Sequence, residues 1–204
     1  MVIHPLYPFG DLQFLMGDRH FERVRHVDVP GLPCMLTVEQ PQSWRSGRTG
    51  DTTGGVLWEA SVLLGAYLIH THSSVAAPFE ASGGAAASPS APASAPAPAP
   101  APARARGRPC VPLRSNGERR RSLELGSGVG ALGALVAAYI GYEAVATDMP
   151  TMLATTRRNV DAARVSLGLL PGQVGVEALM WGEGEPPPDD DDSRRELVVG
   201  ADIM

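Results

Sequence analysis

Cysteine is scarce: the 204 residues hold two, Cys34 and Cys110, far apart and without Cys-x-x-Cys spacing. That excludes a disulfide or zinc framework and suits a reducing compartment. A signal peptide is not expected, because Met1 to Phe14 carries Pro5, Pro8 and Asp11 in place of a basic start followed by an apolar core. No apolar run reaches membrane-spanning length without an internal charge, so a membrane partner is not expected either. Positive charge is in short supply, and a net charge of −5 gives no reason to expect nucleic acid as the main partner. The expectation is a soluble intracellular protein, cytoplasmic and open to a nuclear location. The local exception is two basic clusters, Arg104, Arg106 and Arg108, then Arg119, Arg120 and Arg121. They read as a solvated linker end or as a nuclear-localisation or docking segment.

Much of the chain cannot join a core. Ala76 to Arg121 is dominated by alanine, proline, serine and glycine, with an alternating Ala-Pro run from Ala95 to Ala103. Such a composition favours an extended, solvated chain. Three regions are therefore expected: residues 1–75 as a hairpin and a Trp-containing helix, 76–121 as a disordered linker, and 122–204 as a nucleotide-binding unit.

The informative stretch is Leu123-Glu124-Leu125-Gly126-Ser127-Gly128-Val129-Gly130, a short apolar strand running into a glycine turn. Leu132, Leu135, Val136, Tyr139 and Ile140 then recur at helical spacing, with Gly141 where a C-terminal cap would stand. Ala144-Val145-Ala146-Thr147-Asp148 follows as a second strand that ends in a carboxylate, about 20 residues past the middle glycine. This is a βαβ unit. Its glycines let backbone approach a ligand, the helix N-terminus offers donors to an anionic group, and Asp148 can accept from both hydroxyls of a ribose.

Two cofactor classes compete for that loop. Gly126, Gly128 and Ala131 satisfy the dinucleotide pattern Gly-x-Gly-x-x-Gly/Ala. Glu124, however, stands where a dinucleotide site usually keeps an apolar residue, and an acid there suits a ligand with an ammonium group. The glycines continue through Gly130, and the loop lies deep in the chain. S-adenosylmethionine fits these features better than NAD.

Other elements follow by pattern. Val27-Asp28-Val29 and Met35 to Glu39 read as a hairpin around a Pro30-Gly31 turn. Val56 to Leu68 reads as an amphipathic helix with Leu57, Ala60, Leu64 and Tyr67 or Leu68 on its apolar face and Trp58 near its start. His70 and His72, two residues apart on a helix, face different ways and make no metal pair, so no metal is expected. Pro150 opens a helix over Met152 to Val165, Gln173 to Met180 holds a third strand, and Glu183 to Arg195 is an acidic surface loop. Glu196 to Asp202 reads as a buried parallel strand that again ends in an acid.

Taken in order, Gly55 to Ala60, Leu123 to Gly130, Thr147-Asp148, Arg158-Asn159, Leu179 to Gly182 and Gly200 to Ile203 resemble the seven-β-strand protein-lysine methyltransferases of the methyltransferase-like family. The resemblance implies an α/β, Rossmann-like class I sheet with helices on both faces, S-adenosylmethionine as cofactor, and a lysine side chain of a protein as substrate. It also implies roles. Gly126, Ser127 and Gly128 would cradle the methionine part of the cofactor, with Glu124 near its amino group. Asp148 would take the ribose hydroxyls, Met149 would pack on the adenine, and Trp181 would flank the adenine pocket. Trp58 and Ala201 would close the site. Asp202 matches the first position of the family's Asp-x-x-Tyr motif, which borders the channel for the substrate amine.

The sequence stops at Met204, one residue short of that tyrosine, and the later strands of the family's sheet are absent from it. The expectation is an incomplete sheet with Leu197 to Gly200 as an uncovered edge, marginally stable unless a partner covers it. Two other functions stay open at this point: a non-catalytic binding or scaffold protein built on a methyltransferase remnant, and a nicotinamide-dependent oxidoreductase.

Overall fold

The computed structural model describes residues 22–41, 55–73, 110–183 and 194–201. Strands β1 (Val24–Val27) and β2 (Leu36–Glu39) come first, followed by helix α1 (Glu59–Ser73). Then come β3 (Arg121–Leu125), α2 (Leu132–Tyr139), β4 (Glu143–Asp148), α3 (Leu153–Ser166), β5 (Val174–Ala178) and β6 (Leu197–Gly200). The last four strands form one parallel sheet in the order β5-β4-β3-β6, and β1 pairs with β2 antiparallel. The expected α/β class with a small N-terminal hairpin is what the chain adopts.

Register explains where the core sits. Ser122, Glu124, Ala144, Ala146, Val174, Leu197 and Val199 lie on one face of the sheet, because pairing sets Ser122 beside Ala144 and Leu197, and Ala144 beside Val174. Helix α2 packs on that face. Its eight residues are apolar all round and all buried, as a helix enclosed on every side must be. Fully buried Leu132, Leu135 and Ile140 each contribute about 1.5–3 kcal/mol on leaving water. Leu123, Leu125 and Val145 on the opposite face are only partly buried, and Val198 is 54% exposed. Among the described residues the helices thus gather on one face, where both faces were expected to be covered. Among the described residues strand β6 pairs only with β3, and it is half open, not buried.

The hairpin and α1 are part of the same core. Val27, Val29, Leu36 and Val38 cluster with Leu68, Ile69 and the apolar side of α2. Gly65 lets α1 cross α2 closely, since a Cβ there would lie 3.1 Å from both Val136 and Val29. The expected first strand, Val27-Asp28-Val29, is displaced: β1 ends at Val27, and Asp28 and Val29 leave the ladder so that Val29 can bury completely. The Pro30-Gly31 turn is present, with the Leu32 N–H donating to Val29 O at 3.0 Å and Gly31 at φ +97°.

Helix α1 starts at Glu59, three residues later than the expected Val56, and runs five residues past the expected Leu68. Its buried side carries Gly65, Ala66, Leu68 and Ile69, while Tyr67 is 57% exposed. The end of the Ala/Pro segment is built into the fold. Val111 is buried, and its N–H donates to Ile140 O at 2.7 Å; Arg114 pairs with Glu196 at 2.6 Å. Most of the acidic loop after Glu183 lies outside the described residues.

Candidate cofactor site

In the order β5-β4-β3-β6, the chain steps one way from β3 to β4 and β5, then returns to β3's other side with β6. The crevice at such a reversal lies beyond the carboxyl end of the central strand. Strand β3 ends there at Leu125, and Gly126 to Gly130 follow. Gly126 and Gly128 adopt φ +60° and +56°, the left-handed region that glycine enters without steric cost. Ala131 adopts φ +45°, which costs an alanine about 1–2 kcal/mol and gives the loop a strained exit into α2.

Asp148 closes β4 beside this loop. Its Oδ2 accepts the Gly128 N–H at 2.6 Å and its Oδ1 accepts its neighbour Met149's N–H at 2.8 Å. Each oxygen keeps a further lone pair, so two acceptor positions remain for hydroxyl donors. The Leu179 N–H donates to Asp148 O at 3.0 Å, which brings Leu179-Met180-Trp181 to the same corner; Trp181 is 55% exposed there. Met149 is half-buried at the opening of the turn into α3.

Glu124 is placed differently from the loop glycines. Its carboxylate lies under α2 and accepts the N–H groups of Gly133 at 3.0 Å and Ala134 at 2.9 Å. It therefore caps the first turn of α2 from the preceding strand, meeting two of the donors that a helix start leaves unpaired. Burial pushes its pKa up to about 7, against the lowering effect of those two N–H bonds, and the Asp148 charge adds to the rise. Gly133 has a matching reason to be glycine: a Cβ there would come within 2.6 Å of Glu124 Oε1.

The N-terminal part reaches the loop through Leu57. A Cβ on Gly130 would collide with Leu57 Cδ1, so this glycine serves packing and makes room for a side chain from the segment before α1. Leu57 is itself fixed at both backbone ends. Gln40 Oε1 accepts its N–H at 2.8 Å, and buried Arg25, paired with Glu59 at 3.2 Å, donates to its carbonyl. Trp58 follows, 38% exposed at the mouth of α1.

Ala201, one residue past β6, stands beside the end of β3, where Leu125 pairs with Gly200. Gly126, Ser127, Gly128, Asp148, Met149 and Ala201 thus gather at one end of the sheet, while the Glu124 carboxylate lies beneath α2. Trp181 is tied in through Leu179 and Trp58 through Leu57. Asp202 lies outside the described residues.

Two further residues hold the loop: Thr156, which the sequence reading did not single out, and Asn159, which it placed in a motif without a role. Thr156 Oγ1 donates to Gly128 O at 3.0 Å, and Asn159 Nδ2 donates to Val129 O at 2.8 Å. Both are polar residues on the buried stripe of α3 with Val160 and Ala163, and that misfit is the signal that would have found them.

Residues 39–204 match a family described as lysine methyltransferase. The chain belongs to the lysine methyltransferase family. The match spans the end of β2, the glycine loop and β6, so the loop that also fits a dinucleotide pattern lies within a methyltransferase domain. S-adenosylmethionine is the donor that a methyltransferase family implies, and the residues present suit its parts. Asp148 has acceptor capacity left for ribose hydroxyls. The Val129 and Gly130 N–H groups have no acceptor among the described residues, but Val129 is fully buried and Gly130 is packed against Leu57. Asp148 is the acid that this corner presents beside the loop, while Glu124 is buried beneath α2 and bonded to the Gly133 and Ala134 N–H groups. A cavity of about 290 Å³ between the hairpin and α3, lined by Arg23, Glu39, Gln40, Pro41, Thr155 and Arg158, holds none of these groups.

Proposed function

We propose that this lysine methyltransferase family member binds S-adenosylmethionine across the carboxyl ends of β3 and β4 and methylates lysine side chains of a protein substrate. The observation that carries the reading is the contact of Asp148 with the glycine loop, which brings a ribose acceptor and the loop into one corner. Gly126, Ser127 and Gly128 would cradle the methionine part, Glu124 would balance its amino group through the α2 terminus, and Asp148 would take the ribose. Met149 and Trp181 would border the adenine, and Trp58 and Ala201 would close the site over it. Asp202 is assigned to the channel for the substrate amine.

When bound, the cofactor supplies a methyl group already activated on a sulfonium. What the chain must provide is alignment of a neutral amine at near-attack distance and exclusion of water. A lysine has to shed its proton first, and a desolvated channel favours that by lowering its pKa. No nucleophilic side chain is needed for a single displacement of this kind.

The test is transfer of labelled methyl groups from S-adenosylmethionine to proteins of a cell extract, with mass spectrometry of the modified residue. The chain contains no lysine, since all 17 of its basic residues are arginine, so any methyl-lysine belongs to a substrate. Methyl-lysine supports the reading, and label on other residue types or none at all overturns it. The open face carrying Leu123, Leu125, Val145 and Val198 favours a second reading, a binding protein that holds the cofactor without transferring its methyl group. Cofactor binding without turnover would select it.

A further inference from the structure

Helix α3 carries two polar stripes with different duties. Thr156 and Asn159 hold the glycine loop, while Thr155 and Arg158, about 100° round the helix, turn to the hairpin. There they line the cavity of about 290 Å³ together with Arg23, Glu39, Gln40 and Pro41. Pockets for small-molecule ligands run from roughly 300 to 1,000 Å³, so this one has room for a side chain and not for a nucleoside cofactor. Asn159 fixes the cavity against the loop, because its amide donates to Glu39 O at 2.9 Å and to Val129 O at 2.8 Å.

The charge of the cavity is unbalanced. Gln40 is buried, with Oε1 accepting the Leu57 N–H at 2.8 Å and Nε2 donating to Glu22 O at 2.7 Å, so its amide is committed elsewhere. Arg158 donates to Thr155 Oγ1 at 3.1 Å and stands 3.6 Å from Glu39 Oε2. Both members of that ion pair are more than half exposed, and such a loose surface pair competes weakly with an incoming anion. The Arg23 guanidinium meets no carboxylate among the described residues. Two guanidinium groups against one carboxylate leave one spare positive charge, in a chain whose net charge is −5.

We propose that this cavity is a docking pocket for an aspartate or glutamate side chain of the protein substrate, held between Arg23 and Arg158. A single carboxylate cancels the spare charge, and each guanidinium presents N–H groups in a fork that matches its two oxygens. A phosphate, with close to two negative charges at pH 7, would leave an excess beside Glu39. The pocket rests on the protein-substrate reading and adds a preference to it: acidic residues in the substrate near the lysine to be methylated.

The experiment measures, by fluorescence anisotropy at low salt, the binding of two fluorescein-labelled peptides to the full chain. One has a lysine flanked on both sides by glutamates, and the other has glutamines in their place. The expected result is the glutamate peptide bound about tenfold tighter than the glutamine peptide, a preference that falls to about twofold or less in the double variant Arg23→Gln, Arg158→Gln. Glu39→Gln should act the other way and tighten the glutamate peptide about threefold, since it frees Arg158. Arg157→Gln removes the same charge from the same helix outside the cavity and should leave binding within about twofold of wild type. No preference in the wild type, its survival in the double variant, or an equal loss in Arg157→Gln overturns the pocket. Calorimetry with S-adenosylmethionine on the same proteins separates the two readings. A chain that binds the cofactor but shows no peptide preference overturns the pocket alone, and a folded chain that does not bind the cofactor overturns the reading on which the pocket rests.

Discussion

The Gly128 N–H donates to Asp148 Oδ2 at 2.6 Å, so the loop leaving β3 and the acid closing β4 are in direct contact. The contact fixes the height of the loop over the sheet and leaves part of each carboxylate oxygen available. Removing the acid therefore loosens the loop as well as taking away an acceptor.

Asp148→Ala is expected to weaken S-adenosylmethionine binding by about 1–3 kcal/mol, because ribose hydroxyls lose their acceptor and the Gly128 N–H is left unpaired. Gly128→Val should weaken it further, since a β-branched residue is forced to φ near +56° where backbone must meet ligand. Calorimetric titration checks both. Parent-like binding by the two variants would mean the cofactor lies elsewhere.

Glu124 gives the fold a pH dependence of unusual sign for a carboxylate. Burial raises its pKa from 4.5 to about 7, so between those values the folded chain binds more protons than the unfolded one. Stability from this group is full below about 4.5 and is lost as pH rises through 7. The loss is on the order of 3 kcal/mol. Glu124→Gln removes the titration, so the difference in unfolding free energy between the two proteins should move against the wild type from about pH 5 to about pH 7.5. Parallel stability curves would contradict the buried, raised carboxyl.

Leu57 and Gly130 should be coupled. Gly130→Ala overpacks the contact and is expected to cost about 1–3 kcal/mol. Leu57→Ala empties it at a cost of about 2–5 kcal/mol. The double variant should cost less than the sum, because the shortened side chain admits the added methyl. Additive losses in denaturant unfolding would show that the segment before α1 does not rest on the cofactor loop.

The nucleotide-binding half was legible because its signals are local. Leu132 to Ile140 repeat at helical spacing, and β4 and β5 are short apolar runs bounded by turns, so the helix and both strands fall close to where periodicity puts them. The hairpin was harder to read. Strand β1 contains Arg25, which looks like a solvent residue in sequence but is buried against Leu57 O and Glu59, contacts that lie more than 30 positions away. Of the two residues that the pattern left open for the apolar face of α1, Leu68 is the buried one, and Tyr67 leaves its ring in solvent while Gly65 makes the helix contact.

The site shows the same division. Gly126, Gly128 and Asp148 announce themselves by residue type and spacing. The role of Glu124 as a cap for α2 depends on a helix packed over the strand that bears it, and the role of Asn159 depends on Glu39, 120 residues earlier. Neither could be read from neighbours in the chain.

The most direct measurement is calorimetric titration of S-adenosylmethionine into the purified 204-residue chain, after circular dichroism has confirmed that it is folded. The account predicts saturable binding at one site with a dissociation constant near micromolar, about −8 kcal/mol. A folded chain that gives no binding heat at several temperatures and gains no thermal stability from the ligand would contradict it.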